Sequence, residues 1–156
     1  MNLSLKLLKA DKMVRITGIN NMKKEVVSNE KIVLLKSIEN INKGKRYVCE
    51  HIFPELTALC PTTALPDFYT VRLLYEPCNS LIELKSFKLY LLQYRNAKIY
   101  HEELANEILD DLVKVFSPNW IFLELKVNVR GGIYTTIRRF WDKSGDDNIE
   151  KAIKGM

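Results

Sequence analysis

The chain has 156 residues, 47% of them hydrophobic and 28% charged, which fits one packed domain spanning residues 1–156 and excludes wholesale disorder. A net charge of +5 and a pI near 9.0 favour anionic partners such as nucleotide phosphates or RNA, yet no run is dense enough in Lys and Arg to form a dedicated nucleic-acid-binding arm. No stretch reaches the roughly 18 to 20 apolar residues of a membrane span, and three irregularly spaced cysteines without a secretory-type leader point to a reducing cytoplasm.

Residues 1–44 are rich in Lys and Asn, with short apolar bursts at Leu3–Leu8 and Ile32–Leu35 and no sustained period. Tyr47–Phe53 has strand character, and Pro54–Pro66, with three prolines, is expected to be a loop containing Cys60. Phe68–Tyr75 is aromatic and β-branched and predicts a second strand, closed by Glu76-Pro77. Ser80 followed by Glu83 has the spacing of a capping box, and Leu84, Phe87, Leu91 and Tyr94 recur with helical period, so a helix is expected over roughly 81–95. Glu102 and Glu103 open a second helix, whose apolar face is Leu104, Ile108, Leu112 and Val115 and which ends at Ser117-Pro118.

The alternation of Ile121, Leu123, Leu125, Val127 and Val129 with Phe122, Glu124, Lys126, Asn128 and Arg130 is the clearest strand. Gly131-Gly132 offers a hairpin turn into a last strand, Ile133–Trp141, before a polar tail. The order ββααββ predicts an α+β domain, an antiparallel sheet with both helices on one face.

Cys60 and Asp67 share one segment, FPELTALCPTTALPDF. A thiolate is a nucleophile, and a nearby carboxylate that moves its proton is what covalent catalysis needs. Spacing alone equally allows a small apolar filler at Cys60 and a turn residue at Asp67. Cys49, His51 and Cys60 have zinc-ligand chemistry, but without a CxxC or HxxxH pair no metal site is assigned. The carboxylate of Glu102 suits a helix start in any case, and in a pocket it would accept paired N–H bonds from a guanine-like ring beside a proton-relaying His101. Lys85 and Lys88 read either as a solvated helix face or as phosphate contacts, and no GxGxxG or Walker-type loop is present.

Together, FPELTALCPTTALPDF, ELKSFKLY, YHEEL and VRGGI, in this order and spacing, closely resemble the 7-cyano-7-deazaguanine reductases, the QueF family of queuosine biosynthesis. The resemblance runs from about Tyr47 to Ile133, leaving residues 1–44 as a divergent N-terminal segment. It implies a tunnelling fold (T-fold) whose subunits join into stacked rings with active sites between neighbours. It also implies NADPH-dependent, four-electron reduction of a nitrile to an aminomethyl group on a precursor of queuosine in tRNA.

Residue by residue, Cys60 matches the nucleophile that forms a thioimide and Asp67 the general acid/base. Glu102 and His101 match the pair that recognises the deazaguanine ring, and Glu83, Lys85, Ser86 and Lys88 match the NADPH motif. Two alternatives stay open. One is a related archaeal amidinotransferase that converts nitrile-bearing tRNA to archaeosine. The other is a noncatalytic purine- or RNA-binding module on the same scaffold.

Overall fold

The computed structural model describes residues 31–146 and Asn148; the burst at Leu3–Leu8 and most of the polar tail lie outside these. All the elements below lie within the unit Leu34–Met156. Among the described residues these are β1 (Ser37–Glu39), β2 (Cys49–Leu59), β3 (Pro66–Glu76), β4 (Ser80–Ile82), α1 (Leu84–Leu92), a 3₁₀ turn (Gln93–Asn96), α2 (His101–Phe116), β5 (Trp120–Arg130) and β6 (Ile133–Asp142).

The four long strands form one antiparallel sheet in the order β2-β3-β5-β6, and β1 and β4 form a separate two-stranded ribbon. The main sheet and the helices reproduce the expected ββααββ order. Period-2 alternation places Leu56, Tyr69, Val71, Leu73, Tyr75, Leu123 and Leu125 on one face, where they are buried with Phe87 and Leu91 of α1 and Leu104, Ile108 and Leu112 of α2. That α2 lies on this face is fixed by Arg139 of β6, which donates to Asn106 and, at 3.0 Å, to Asp110. The expected hairpin also forms, with Gly131 (φ 57°) and Gly132 (φ 80°) supplying the two left-handed positions of a tight turn after β5.

Two expectations need correction. The segment Pro54–Pro66 is mostly not a loop, because β2 runs on to Leu59 through a register shift between Phe53 and Leu56. Pro54 is tolerated because it lies in that irregularity on an edge strand. The first helix begins at Leu84 rather than 81, since Ser80–Ile82 pairs with Ser37–Glu39 and cannot coil. Ser80 accordingly does not cap. Its hydroxyl donates to the Phe116 carbonyl, while the Glu83 carboxylate is itself the cap and accepts from the Lys85 and Ser86 amides.

The second face of the sheet is also partly buried. Phe122 and Glu124 are buried there. Phe122 lies opposite Phe140, and Glu124 lies opposite Arg138, which donates to it at 2.7 Å.

Candidate functional site

Cys60 follows the last residue of β2, and Asp67 is the second residue of β3, its neighbour in the sheet. Pairing of Ala58 with Asp67 and of Leu59 with Pro66 brings the two to the same end of the sheet. The turn between the strands is tight. The Cys60 amide donates to the Leu65 carbonyl at 2.9 Å, the Ala64 amide returns a bond to the Cys60 carbonyl at 2.8 Å, and Ala64 takes a left-handed φ of 58°.

This turn also prepares the sulfur. The Thr63 hydroxyl, then the backbone amides of Thr63 and Thr62, bond to Cys60 and bring its thiol from an ordinary 9.0 down to about 7, against smaller opposing effects of burial and the Asp67 charge. Thr63 Oγ1 is oriented in turn by the Leu65 amide at 3.3 Å.

Asp67 is 1% exposed. One carboxylate oxygen is bound by Arg130 from the end of β5, and the other is a buried acceptor with no hydrogen-bond partner among the described residues. An unsatisfied buried carboxylate oxygen is costly, so it is retained where a ligand atom or a moving proton will meet it. Arg130 also lies close enough to Cys60 to interact with its sulfur. Its part was missed in the sequence, where VRGGI stood only as a motif, because 63 residues separate it from Asp67.

His101 and Glu102 open α2. His101 is half-buried and its Nδ1 lies 2.9 Å from the hydroxyl of Tyr69, two residues along β3 from Asp67. Glu102 is exposed, and its charge is felt by the Tyr69 phenol together with those of Asp67, Cys60 and Arg130. Thiol, carboxylate, imidazole and helix-start carboxylate therefore surround one buried tyrosine. The isolated parallel bridge between Leu59 and Lys98, with the Leu59 amide donating to Ala97 at 2.9 Å, ties the end of β2 to the segment leading into α2 and sets this spacing.

The four cofactor candidates separate into two kinds. Glu83 is occupied as helix cap, and Ser86 is buried with its hydroxyl bonded to Lys36 and Glu83. Lys85 and Lys88, three apart on α1, are exposed; the Lys88 amine lies 3.9 Å from Glu55. Two exposed ammonium groups suit the phosphates of a dinucleotide, whereas the Lys85 and Ser86 amides are already taken by Glu83. Cys49 and His51 stand near the opposite end of β2, with roughly 30 Å of extended strand between them and Cys60, so the three do not converge. Among the described residues no three metal-ligating side chains cluster.

The architecture is that of an α+β T-fold domain carrying a paired thiol and carboxylate. The crystal structure titled as that of the archaeosine synthase QueF-Like in the apo form superposes with a TM-score of 0.56 at 22% identity, over 60% of this chain and 91% of that one, a likeness of fold. The family described as QueF-like protein matches residues 66–145. Three curated relatives carry the name NADPH-dependent 7-cyano-7-deazaguanine reductase. That of Thioalkalivibrio sulfidiphilus is 46% identical over 103 residues, covering 66% of this chain and 80% of its own. That of Prochlorococcus marinus is 44% identical over 99 residues, with 64% and 73% covered. That of Chlorobium phaeobacteroides is 42% identical over 120 residues, with 77% and 97% covered. The chain belongs to the QueF family.

Proposed function

We propose that this protein is an NADPH-dependent reductase of 7-cyano-7-deazaguanine, working through a thioimide on Cys60. The observation that carries the reading is the pairing of a thiol lowered to about 7 with a buried carboxylate that keeps one oxygen free. The names of its relatives supply the substrate and the reductant.

Arg130 holds one oxygen of Asp67, and the other, without a hydrogen-bond partner among the described residues, is placed to accept the Cys60 thiol proton. The thiolate attacks the nitrile carbon, a C–S bond forms, and the electron pair of one C–N π bond moves to nitrogen. Asp67 passes the proton it received to that nitrogen, so thiol plus nitrile becomes a neutral thioimide with no atom unaccounted for. NADPH, when bound, would supply hydride, and two equivalents together with two protons drawn from solvent carry the nitrile to the aminomethyl level. Cys60 later departs as the thiolate that its turn stabilises, which suits it as a leaving group as well as a nucleophile.

Glu102 accepts the paired N–H donors of the deazaguanine ring, His101 lines the same pocket, and Lys85 and Lys88 hold the NADPH phosphates. Glu83 and Ser86 serve that motif by fixing the start of α1. Among the described residues, strands β2 and β6 are the edges of the main sheet, with Ile52, Ile133 and Tyr134 exposed on them, which supports assembly of copies into rings that complete the pocket around Glu102. Cys49, Cys60 and Cys78 are all unpaired, in keeping with a reducing cytoplasm. Among the described residues, no helix is long and apolar enough to cross a membrane.

Loss of NADPH absorbance on adding the nitrile base tests the proposal, with two equivalents consumed per nitrile as the expected stoichiometry. No consumption, with ammonia-dependent conversion of nitrile-bearing tRNA instead, would replace reduction by amidine formation.

A further inference from the structure

We infer that Tyr69 is a positioning residue that holds His101 in a single neutral tautomer, with the imidazole proton on Nε2, so that this histidine presents a hydrogen-bond donor and not an acceptor to the ring bound at Glu102. The inference rests on the reading of His101 and Glu102 as the base pocket.

Tyr69 is fully buried on the helix-facing side of β3. Its hydroxyl lies 2.9 Å from His101 Nδ1, and the two rings meet edge to face with centroids 5.5 Å apart at 69°. Ring packing fixes the orientation of both side chains, and the hydrogen bond fixes the chemistry. Burial, followed by the negative charges of Asp67 and Cys60, moves the phenol above its ordinary range, so its proton stays on oxygen.

That proton needs an acceptor. Among the described residues the hydroxyl's hydrogen-bond partner is His101 Nδ1, and a buried hydroxyl hydrogen pointed elsewhere would go unsatisfied. The phenol therefore donates, Nδ1 accepts, and the ring proton of neutral His101 is placed on Nε2. A guanine-type edge carries N–H donors beside a carbonyl acceptor. Glu102, an acceptor, matches the donors, and an Nε2–H donor from the adjacent residue matches the carbonyl.

The experiment is ¹⁵N imidazole NMR on the full chain, tractable because it contains only His51 and His101. The His101 signals are assigned by their loss in His101→Gln. The wild type should show His101 with Nδ1 unprotonated and Nε2 protonated. Tyr69→Phe, which keeps the ring and removes the hydroxyl, should give a mixture of tautomers. In that variant KM for the nitrile base should rise about tenfold, the scale of one lost directional hydrogen bond, with kcat within about twofold.

The rate of iodoacetamide alkylation at Cys60 should not change, which separates positioning of His101 from damage to the fold. An Nδ1–H tautomer in the wild type, or a Tyr69→Phe spectrum and KM equal to wild type, overturns the inference. Failure of the wild type to consume NADPH would overturn the functional reading instead, leaving the tautomer result standing as a separate measurement.

Discussion

Thr63→Val removes one hydroxyl from the turn that cradles Cys60, and its consequence can be sized. A thiol at about 7 is roughly half ionised at pH 7, whereas at an ordinary 9.0 about 1% is thiolate, so the whole turn multiplies the reactive form about fiftyfold. The Thr63 hydroxyl is the largest single contributor, with the Thr63 and Thr62 amides next. Its loss should move the midpoint upward without reaching 9.0, because both amides remain.

The rate of Cys60 alkylation by iodoacetamide, followed peptide by peptide against pH so that Cys49 and Cys78 are resolved, reads this directly. In the wild type it should rise with pH through about 7 and then level. In Thr63→Val the curve should shift to higher pH, with the rate at pH 7 falling by at least severalfold and at most about fiftyfold. Thr63→Ser, which retains the hydroxyl, should restore it. A wild-type midpoint near 9.0, or superimposable curves for wild type and Thr63→Val, would refute the idea that the turn activates the thiol.

Asp67→Asn should still bind the nitrile base while NADPH consumption falls at least about a hundredfold, the usual scale of a lost general acid/base; wild-type turnover would remove Asp67 from the proton path. Lys85→Ala and Lys88→Ala should each raise KM for NADPH about tenfold and lessen its salt dependence, with Cys60 adduct formation unchanged; an unaltered KM would place the phosphates elsewhere. Glu83→Ala should lower the melting temperature by a few degrees through loss of the α1 cap, as measured by circular dichroism; an unchanged melting temperature would show that the cap contributes little.

The buried carboxylate of Glu76 accepts from Arg46, Asn119 and Trp120, and these bonds, led by that of Arg46, hold it below its ordinary 4.5. A lowered folded-state value means its stabilisation is present above 4.5 and is lost as pH falls through that lower value. Glu76→Gln should flatten this acid limb in urea melts; an unchanged limb would assign it to other carboxylates.

Much of the fold was legible because the strongest patterns are local. The alternation through Ile121–Val129 marked β5, the three- and four-residue spacing from Leu104 to Val115 marked α2, and Gly131-Gly132 marked the hairpin from β5 into β6, since each depends on residues close in sequence. Pro54 misled because a proline is a breaker only where a ladder amide is required, and an edge strand with a register shift does not require one there. Ser80 misled for a related reason. Its capping spacing to Glu83 was real, but ladder pairing with Ser37–Glu39 took the segment first, and that pairing joins residues some forty apart.

The candidate site divides the same way. Cys60 and Asp67 stood out as chemical types within one segment, and the motif resemblance carried His101, Glu102 and the lysines. The Arg130–Asp67 pair and the Tyr69–His101 contact did not stand out, because each is set by strand register and helix placement across 63 and 32 residues. The thiol's acidity was equally hidden. Thr62 and Thr63 carry no chemical signal of their own in the sequence, and only the hairpin geometry aims their amides and a hydroxyl at sulfur.

Intact mass is the most direct measurement of the covalent step. The wild type mixed with 7-cyano-7-deazaguanine and no NADPH should gain the full mass of the nitrile, the gain should map to the Cys60 peptide, and Cys60→Ala should gain nothing. A wild type that stays unmodified under saturating nitrile, or a Cys60→Ala variant that gains the same mass, would contradict covalent catalysis at Cys60.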